Sequence, residues 1–279
     1  MLWMRSSWKN CICALRNKMM QHRKYLLSIR EFLEGEKRVS LLKEALGKVD
    51  EERRRKAERM RTEQGKAACL GAGLLLQLAV QEAVGSSDSA EILRRDSKAG
   101  GVKPIVNRGY GMVPYSVSHL MELLSVSVSL SYHYGKNGKP YFDHLPFYFN
   151  LSHSGEYVFC VLASHEVGAD IQQYGTGSCE RLAERFFAPE EAAALKDCKE
   201  GKATLFYRLW TRKEAYGKLT GEGLLGSMST CFLPGREQTP GERELVWEEY
   251  DGLAEYHMAV CGYAGEAGME SADKECGGF

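Results

Sequence analysis

Two stretches, Val167-Gly168-Ala169-Asp170-Ile171-Gln172 and Trp210-Thr211-Arg212-Lys213-Glu214-Ala215-Tyr216-Gly217-Lys218, decide how this chain is read. The first has the look of a strand. Side chains alternate between faces along a strand, so Asp170 and Gln172 point one way and Ile171 points toward a core. The second reads as a helix. Residues four apart stack on one face, which places Trp210, Glu214 and Lys218 in one stripe, with Leu205, Phe206 and Leu209 on the buried side. A carboxylate at the end of a strand and another on a helix are half of a site for a hard cation, and the Gln172 amide oxygen is a weaker partner. The plain alternative is an exposed strand edge and a surface ion pair between Glu214 and Lys218, worth about 0.3–0.5 kcal/mol. Trp210 weighs against it, because a large aromatic is seldom placed on a purely solvated face.

Outward from these stretches, the chain alternates strand and helix signals. Lys24 to Ile29 reads as a first strand. Leu41, Leu42, Ala45 and Leu46 have helical spacing. Asp50 ahead of Glu51-Glu52-Arg53-Arg54-Arg55-Lys56 marks a capped helix with acids first and bases after. A buried helix then runs from Ala67 through Leu70, Leu74 and Leu75 to about Val84. Residues 85–118, rich in Gly, Ser and charge, read as a loop or insertion. Val126 to Tyr134 reads as strand and 135–140 as a turn. Phe147 to Leu151 and Tyr157 to Ala163 read as paired strands with Gly155 at the bend. Helices are expected at about 180–187, 190–197 and 203–219, the second opening at Pro189 with Glu190 and Glu191. Glu244 to Tyr250 and Tyr256 to Tyr263 close as strands. Helices clustered between groups of strands predict an α+β fold.

Composition sets the bounds. The chain has 279 residues, 37 basic and 37 acidic side chains, and a formal net charge of zero. Bulk charge therefore gives no reason to expect nucleic acid as a partner. The nine cysteines are odd in number and form no CxxC pair; neither a disulfide framework nor a zinc site is expected, and the cytoplasm is the expected location. Leu70 to Val80, the longest apolar stretch, contains Gln77 and reads as too short to span a bilayer, so no membrane partner is expected. Residues 1–22 carry basic residues with no continuous apolar run after them, which argues against a secretory signal. They read as an N-terminal extension, or as sequence upstream of a start at Met19 or Met20.

Further candidates lie between the two stretches. Ser152 and His153 follow an apolar run and can donate to phosphate oxygens; as strand neighbours they point to opposite faces, which disfavours a Ser-His nucleophilic pair. Lys139 leaves a Gly-rich turn ahead of Pro140 and can reach an anion. The basic run from Arg53 to Lys56, with Arg59 and Lys66, reads by default as a solvated helix face. No GxxxxGK[ST] or GxGxxG is present.

Taken together and in order, Gly138-Lys139-Pro140-Tyr141, Phe149-Asn150-Leu151-Ser152-His153-Ser154, Val167-Gly168-Ala169-Asp170-Ile171, Arg185-Phe186-Phe187 and Leu209-Trp210-Thr211-Arg212-Lys213-Glu214-Ala215, with Lys218 and Gly221-Glu222-Gly223-Leu224 behind, resemble the 4'-phosphopantetheinyl transferases of the Sfp type. The resemblance covers about residues 136–226, with looser likeness from the strand at 24–29 to Tyr263. It implies two similar α+β lobes related by a pseudo-twofold, with the active site in the cleft between them. The lobes would run over 23–138 and 139–265, followed by a disordered tail at 266–279. It implies transfer of the phosphopantetheine arm of coenzyme A to a serine of an apo acyl, peptidyl or polyketide carrier protein, with Mg2+ as cofactor and Mn2+ as the alternative. A monomer suffices for one complete site. By the same resemblance Asp170, Glu214 and Gln172 are metal ligands, Glu214 and Lys218 are catalytic, and Lys139, Ser152, His153, Lys218, Arg55 and Lys66 bind coenzyme A. The family often has an acid where this chain has Gln172, and residues 1–22 and 85–118 have no counterpart in it.

Two other readings compete: a coenzyme A or carrier-protein binding module without activity, which Gln172 favours, and an unrelated α+β hydrolase using Ser152 and His153. Because an amide oxygen brings no charge, Gln172→Glu is expected to tighten metal binding; an unchanged metal titration would place Gln172 outside the metal's reach.

Overall fold

The computed structural model of the chain describes residues 22–84, 112–125, 128–234 and 243–264. The expected N-terminal extension, apart from its last residue, and the expected tail lie outside these residues, as does most of the 85–118 segment. Strand β1 (Arg23–Ser28) leads into a short helix α1 (Arg30–Leu33), then α2 (Arg38–Lys48), α3 (Glu51–Glu58) and the long α4 (Glu63–Val84). Helix α5 (Val117–Leu123) precedes a small ribbon of β2 (Tyr132–Tyr134) and β3 (Pro140–Phe142). The hairpin β4 (Tyr148–Ser154) and β5 (Tyr157–Ala163) and the strand β6 (Gly168–Gln173) follow. Helices α6 (Cys179–Phe186), α7 (Pro189–Asp197), α8 (Lys202–Thr220) and α9 (Gly223–Ser227) come next, and the hairpin β7 (Leu245–Tyr250) and β8 (Tyr256–Tyr263) ends the described chain.

The strands form two three-stranded antiparallel sheets, ordered β1-β5-β4 and β6-β8-β7, and the β2-β3 ribbon. Both sheets are wound alike: the first strand pairs with the last, and the middle strand of the sequence lies outside. In each, the central strand is the one apolar almost throughout. β5 (YVFCVLA) and β8 (YHMAVCGY) are buried along nearly their whole length, as strands covered on both faces must be. One long helix lies against each sheet, α4 on the first and α8 on the second.

The first sheet runs across the expected division at 138/139. β4 and β5 were expected in the second half, but β5 pairs with β1 in a register that sets Leu26 opposite Phe159 and Leu27 opposite Val158. The sheets divide the chain between β5 and β6. The physical reason is the apolar character of β5, which needs a strand on each side as well as cover above and below. The expected strand from Val126 is limited to Tyr132–Tyr134 among the described residues. The end of the expected 85–118 loop is instead the start of helix α5, where the Ser116 hydroxyl accepts from the amide of His119 at 3.2 Å.

Local signals explain several helix starts. Asp50 caps α3 by accepting from the Arg53 amide at 2.8 Å, and Pro189 opens α7. Helix α4, 22 residues long, has the length and apolarity to cross a membrane, contrary to the expectation from Leu70–Val80 alone. Its residues are core: Leu70, Leu74, Leu75 and Leu76 are fully buried against the first sheet.

Helix α8 is fixed from two sides. On one side, Glu191 of α7 and Lys213 pair at 2.7 Å with neither side chain exposed. Glu191 also accepts from the amides of Ala188 (3.0 Å) and Phe232 (2.7 Å), and Lys213 donates to the carbonyls of Met228 (2.8 Å) and Thr230 (2.7 Å). Every polar group of the pair is thereby engaged, which is what makes a buried ion pair tolerable; removing one partner of such a pair costs about 3–5 kcal/mol. On the other side, β6 lies so close that a Cβ at Gly168 would stand 1.9 Å from the carbonyl oxygen of Ala215 and 2.7 Å from the amide of Leu219. Only glycine permits that approach. Gly168→Ala is therefore expected to push β6 and α8 apart and to lower stability by roughly 1–3 kcal/mol, the usual cost of overpacking, read as a lower urea midpoint.

Candidate active site

The β6–α8 contact carries Asp170 to Lys218. The Lys218 ammonium donates to Asp170 Oδ1 at 2.7 Å, to Ser152 Oγ at 2.9 Å and to the carbonyl of Ala169 at 3.2 Å. Ser152 in turn donates to the same Asp170 oxygen at 2.6 Å. Asp170 is 4 % exposed, and its other oxygen, Oδ2, is buried without a hydrogen-bond partner. In place of the Glu214–Lys218 surface pair of the plain alternative, Lys218 pairs with Asp170 across two elements. β4 and β6 are held side by side by further side chains: Ser154 Oγ accepts from the Gln173 amide at 2.9 Å, and the Asn150 amide reaches the Val167 carbonyl at 3.4 Å.

Glu214 lies one helical turn before Lys218 and is half-buried. Burial first, and the negative charge of Asp170 second, raise its pKa, while Lys218 opposes them. Gln172 is half-buried on the Asp170 face; its amide nitrogen donates to the Gln173 carbonyl at 3.4 Å. Opposite it in register is the buried His257, whose Nδ1 lies 2.7 Å from the Thr211 hydroxyl. As the alternation of the strand predicts, Ser152 is buried and His153 exposed. The surrounding protein, then the charge of Lys218, lower the His153 pKa; Asp170 opposes and Lys56 adds to the lowering. His153, Lys218, Asp170 and Lys56 therefore share one electrostatic neighbourhood. No hydrogen bond joins Ser152 to His153 among the described residues, as a nucleophile and its base would require.

A cavity of about 330 Å3 opens beside this cluster. Arg53, Lys56, Lys139 and Lys218 give it a basic wall, and Tyr132, Tyr134 and Phe149 an aromatic one. Gly217, Gly221 and Gly223 form its floor near the end of α8. At Gly217 a Cβ would meet the Gly223 carbonyl at 2.5 Å, so the chain folds back tightly there.

The structure sorts the basic residues differently from the sequence. Arg53 and Lys56 line the cavity; Arg55 does not, and pairs with Glu51 at 2.9 Å on the solvent side of α3. Lys66, on α4, is not among the lining residues either. Ala57, fully buried in an otherwise polar helix, marks the face of Arg53, which stands four residues before it; Lys56 is on the face of Arg53, three residues on, and is not marked by Ala57. Lys139 lines the cavity, but its ammonium is bonded to Glu166 and to the Leu219 carbonyl, the latter at 2.7 Å. Lys213, passed over in the sequence, proves to be the buried anchor of α8.

These groups suit a hard cation. Asp170 offers an unpartnered buried oxygen, Glu214 a second carboxylate whose pKa registers the first, and Gln172 an amide oxygen on the same face. The donors are all oxygen. No group of three or more His, Cys, Asp or Glu suited to a metal exists among the described residues, and Mg2+ is a metal that takes one or two carboxylates and fills its shell from phosphate and water.

The raised pKa of Glu214 makes its charge a cost to the fold. The native state holds that proton more tightly than the unfolded chain, so this contribution to stability is complete below the ordinary value of 4.5 and is lost as pH rises through the raised one. Glu214→Gln is expected to match the parent protein in urea at about pH 4 and to exceed it in stability at neutral pH.

Comparison with known proteins gives the same stretch a lineage. Residues 166–261 match the model of the 4'-phosphopantetheinyl transferase superfamily. A 4'-phosphopantetheinyl transferase of Bacillus subtilis is 36 % identical over 133 residues, which are 44 % of this chain and 59 % of that protein. The 4'-phosphopantetheinyl transferase Sfp of Bacillus subtilis strain 168 is 42 % identical over 148 residues, with the same two coverages of 44 % and 59 %. The 4'-phosphopantetheinyl transferase AcpT of Escherichia coli K12 is 34 % identical over 117 residues, 40 % of this chain and 55 % of that protein. The chain thus spans little more than half the length of these relatives. The stretch that holds Asp170, Glu214 and Lys218 is the part of the chain that matches the 4'-phosphopantetheinyl transferase superfamily, and the chain is similar to the Sfp protein among its relatives.

Proposed function

We propose that this protein transfers the 4'-phosphopantetheine group of coenzyme A to a serine hydroxyl of an apo acyl, peptidyl or polyketide carrier protein, releasing adenosine 3',5'-bisphosphate. The observation that carries the reading is the meeting of Asp170, Ser152 and Lys218, with Glu214 one turn away, at the edge of a basic and aromatic cavity. We read the two like-wound sheets as two lobes about a pseudo-twofold, with the cavity in the cleft between them.

The chemistry asks for three services: binding of phosphates, neutralisation of charge on the diphosphate, and removal of the serine proton. Arg53 and Lys56 line the cavity and would hold the phosphates of the nucleotide end; His153, which is not among the lining residues, would reach them from β4. Tyr132, Tyr134 and Phe149 offer faces to its base. Lys218 would neutralise the diphosphate on the side of the leaving group. Glu214 is the general base: its raised pKa brings it closer to neutrality, where a base both remains ionised and accepts a proton readily. Asp170 and Glu214, with Gln172 as a neutral third donor, would hold Mg2+ or Mn2+, which supplies charge stabilisation to the diphosphate when bound. Arg55 and Lys66, given the same task by resemblance, lie outside the cavity lining. Nothing in this scheme needs a second subunit, and we read the protein as a monomer of the cytoplasm.

Intact-mass spectrometry of a purified apo carrier protein, after incubation with this protein, coenzyme A and Mg2+, tests the reading. The expected result is a gain of one phosphopantetheine, lost when the metal is omitted and reduced at least 100-fold in rate in Glu214→Gln, roughly the contribution of a general base. No gain on acyl and peptidyl carriers, with coenzyme A still bound, would favour the binding module instead.

A further inference from the structure

Lys218 is held in a way that a phosphate ligand alone does not explain. An ammonium has three protons to donate, and all three are placed: Asp170 Oδ1 at 2.7 Å, Ser152 Oγ at 2.9 Å and the Ala169 carbonyl at 3.2 Å. The tripod is anchored at both ends. Gly168 lets the backbone of β6 come against α8, and Lys213, five residues earlier, fixes the helix through Glu191. Lys218 is half-buried and Asp170 almost fully so, so their attraction is screened less than at a surface. Asp170 Oδ2, the oxygen left for a cation, belongs to the same carboxylate.

We propose that Lys218 is the resident counter-cation of Asp170 and an antagonist of the divalent cation at that carboxylate. The inference rests on the metal assignment made above and goes beyond it. A dication at Asp170 would meet an ammonium already bonded to that side chain, so a bare metal ion binds weakly. A diphosphate-bearing ligand changes this by offering Lys218 another anion. Lys218 moves its bonds from Asp170 to the diphosphate, and the carboxylate is left to the metal. Metal and diphosphate ligand thereby favour one another's binding, and the coupling is reciprocal, as linkage requires. Lys218 is in this respect a gate on metal loading as well as a phosphate ligand.

The test uses Mn2+ alone, with free ion counted by electron paramagnetic resonance, and no turnover. Lys218→Met is expected to bind Mn2+ on the order of tenfold more tightly than the parent protein, from loss of a repulsive charge in a half-buried site. Lys218→Arg keeps the charge and is expected to stay near the parent. Equal or weaker binding in Lys218→Met would overturn the proposal. A second readout needs no variant: the rate at which acetic anhydride labels Lys218 in the parent protein, followed by peptide mass spectrometry, should rise as Mn2+ saturates the site. A flat or falling rate would likewise overturn it. The transfer reading is judged separately, on the mass of the carrier. Carrier modification without the Mn2+ effect sinks only this inference, and the Mn2+ effect without carrier modification sinks only the transfer reading.

Discussion

The nearness of β6 to α8 is the constraint on which the site depends. At Gly168 the strand lies in contact with the helix backbone at Ala215 and Leu219, and this sets Asp170 within reach of Lys218 and puts Glu214 in its field. Held only there, the helix could rock. The buried Glu191–Lys213 pair, bonded to backbone on every side, stops it from behind. One lysine of the motif therefore positions the helix and the other works at its front. The spacing of five between them places the two on different faces, as a helix of 3.6 residues per turn dictates.

Charge at the site is arranged around a single carboxylate. Asp170 receives two donors on one oxygen and none on the other. Ser152 and Lys218 orient it, while its negative charge raises the pKa of Glu214. Ser152 is thus a positioning residue in this arrangement, and its partnership with Asp170 and Lys218 accounts for a buried hydroxyl that a Ser-His nucleophile would have had to expose.

Much of this was legible in local sequence because local physics decides it. The 3.6-residue pattern from Leu205 to Lys218 gave helix α8 to within a residue or two, Asp50 gave the start of α3, and alternation gave the opposite faces of Ser152 and His153. The Asp170, Glu214 and Lys218 stretch was found by order of motifs. What stayed hidden was non-local. No periodicity tells that β5 will pair with β1 across more than a hundred residues, a pairing that crosses the expected division at 138/139. Glu191 and Lys213 each look like solvent residues until the fold brings them together. Four consecutive bases in α3 look alike, and Arg55 was assigned by resemblance alone, while the face of Arg53 is marked by one small residue, Ala57. Helix α5, barely two turns long, was masked by the polar segment before it, although Ser116 caps it and Val117, Leu120, Met121 and Leu124 have helical spacing.

The way each sheet is wound has a consequence for synthesis. The first strand of each half pairs with the last, so Leu26 waits for Phe159, and Asp170 for Ala259. Long-range pairing of this kind is slow, since the chain must close a large loop before contact rewards it. During translation α4 leaves the ribosome with its apolar residues made and the sheet that covers them still missing β4 and β5. Until Ala163 has emerged, that helix has no sheet to rest on. A nascent chain in this state exposes a helix long and apolar enough to cross a membrane, and it is a natural client for chaperones that hold hydrophobic segments. The second sheet repeats the problem on a shorter scale, and Asp170 comes into register only when β8 is complete.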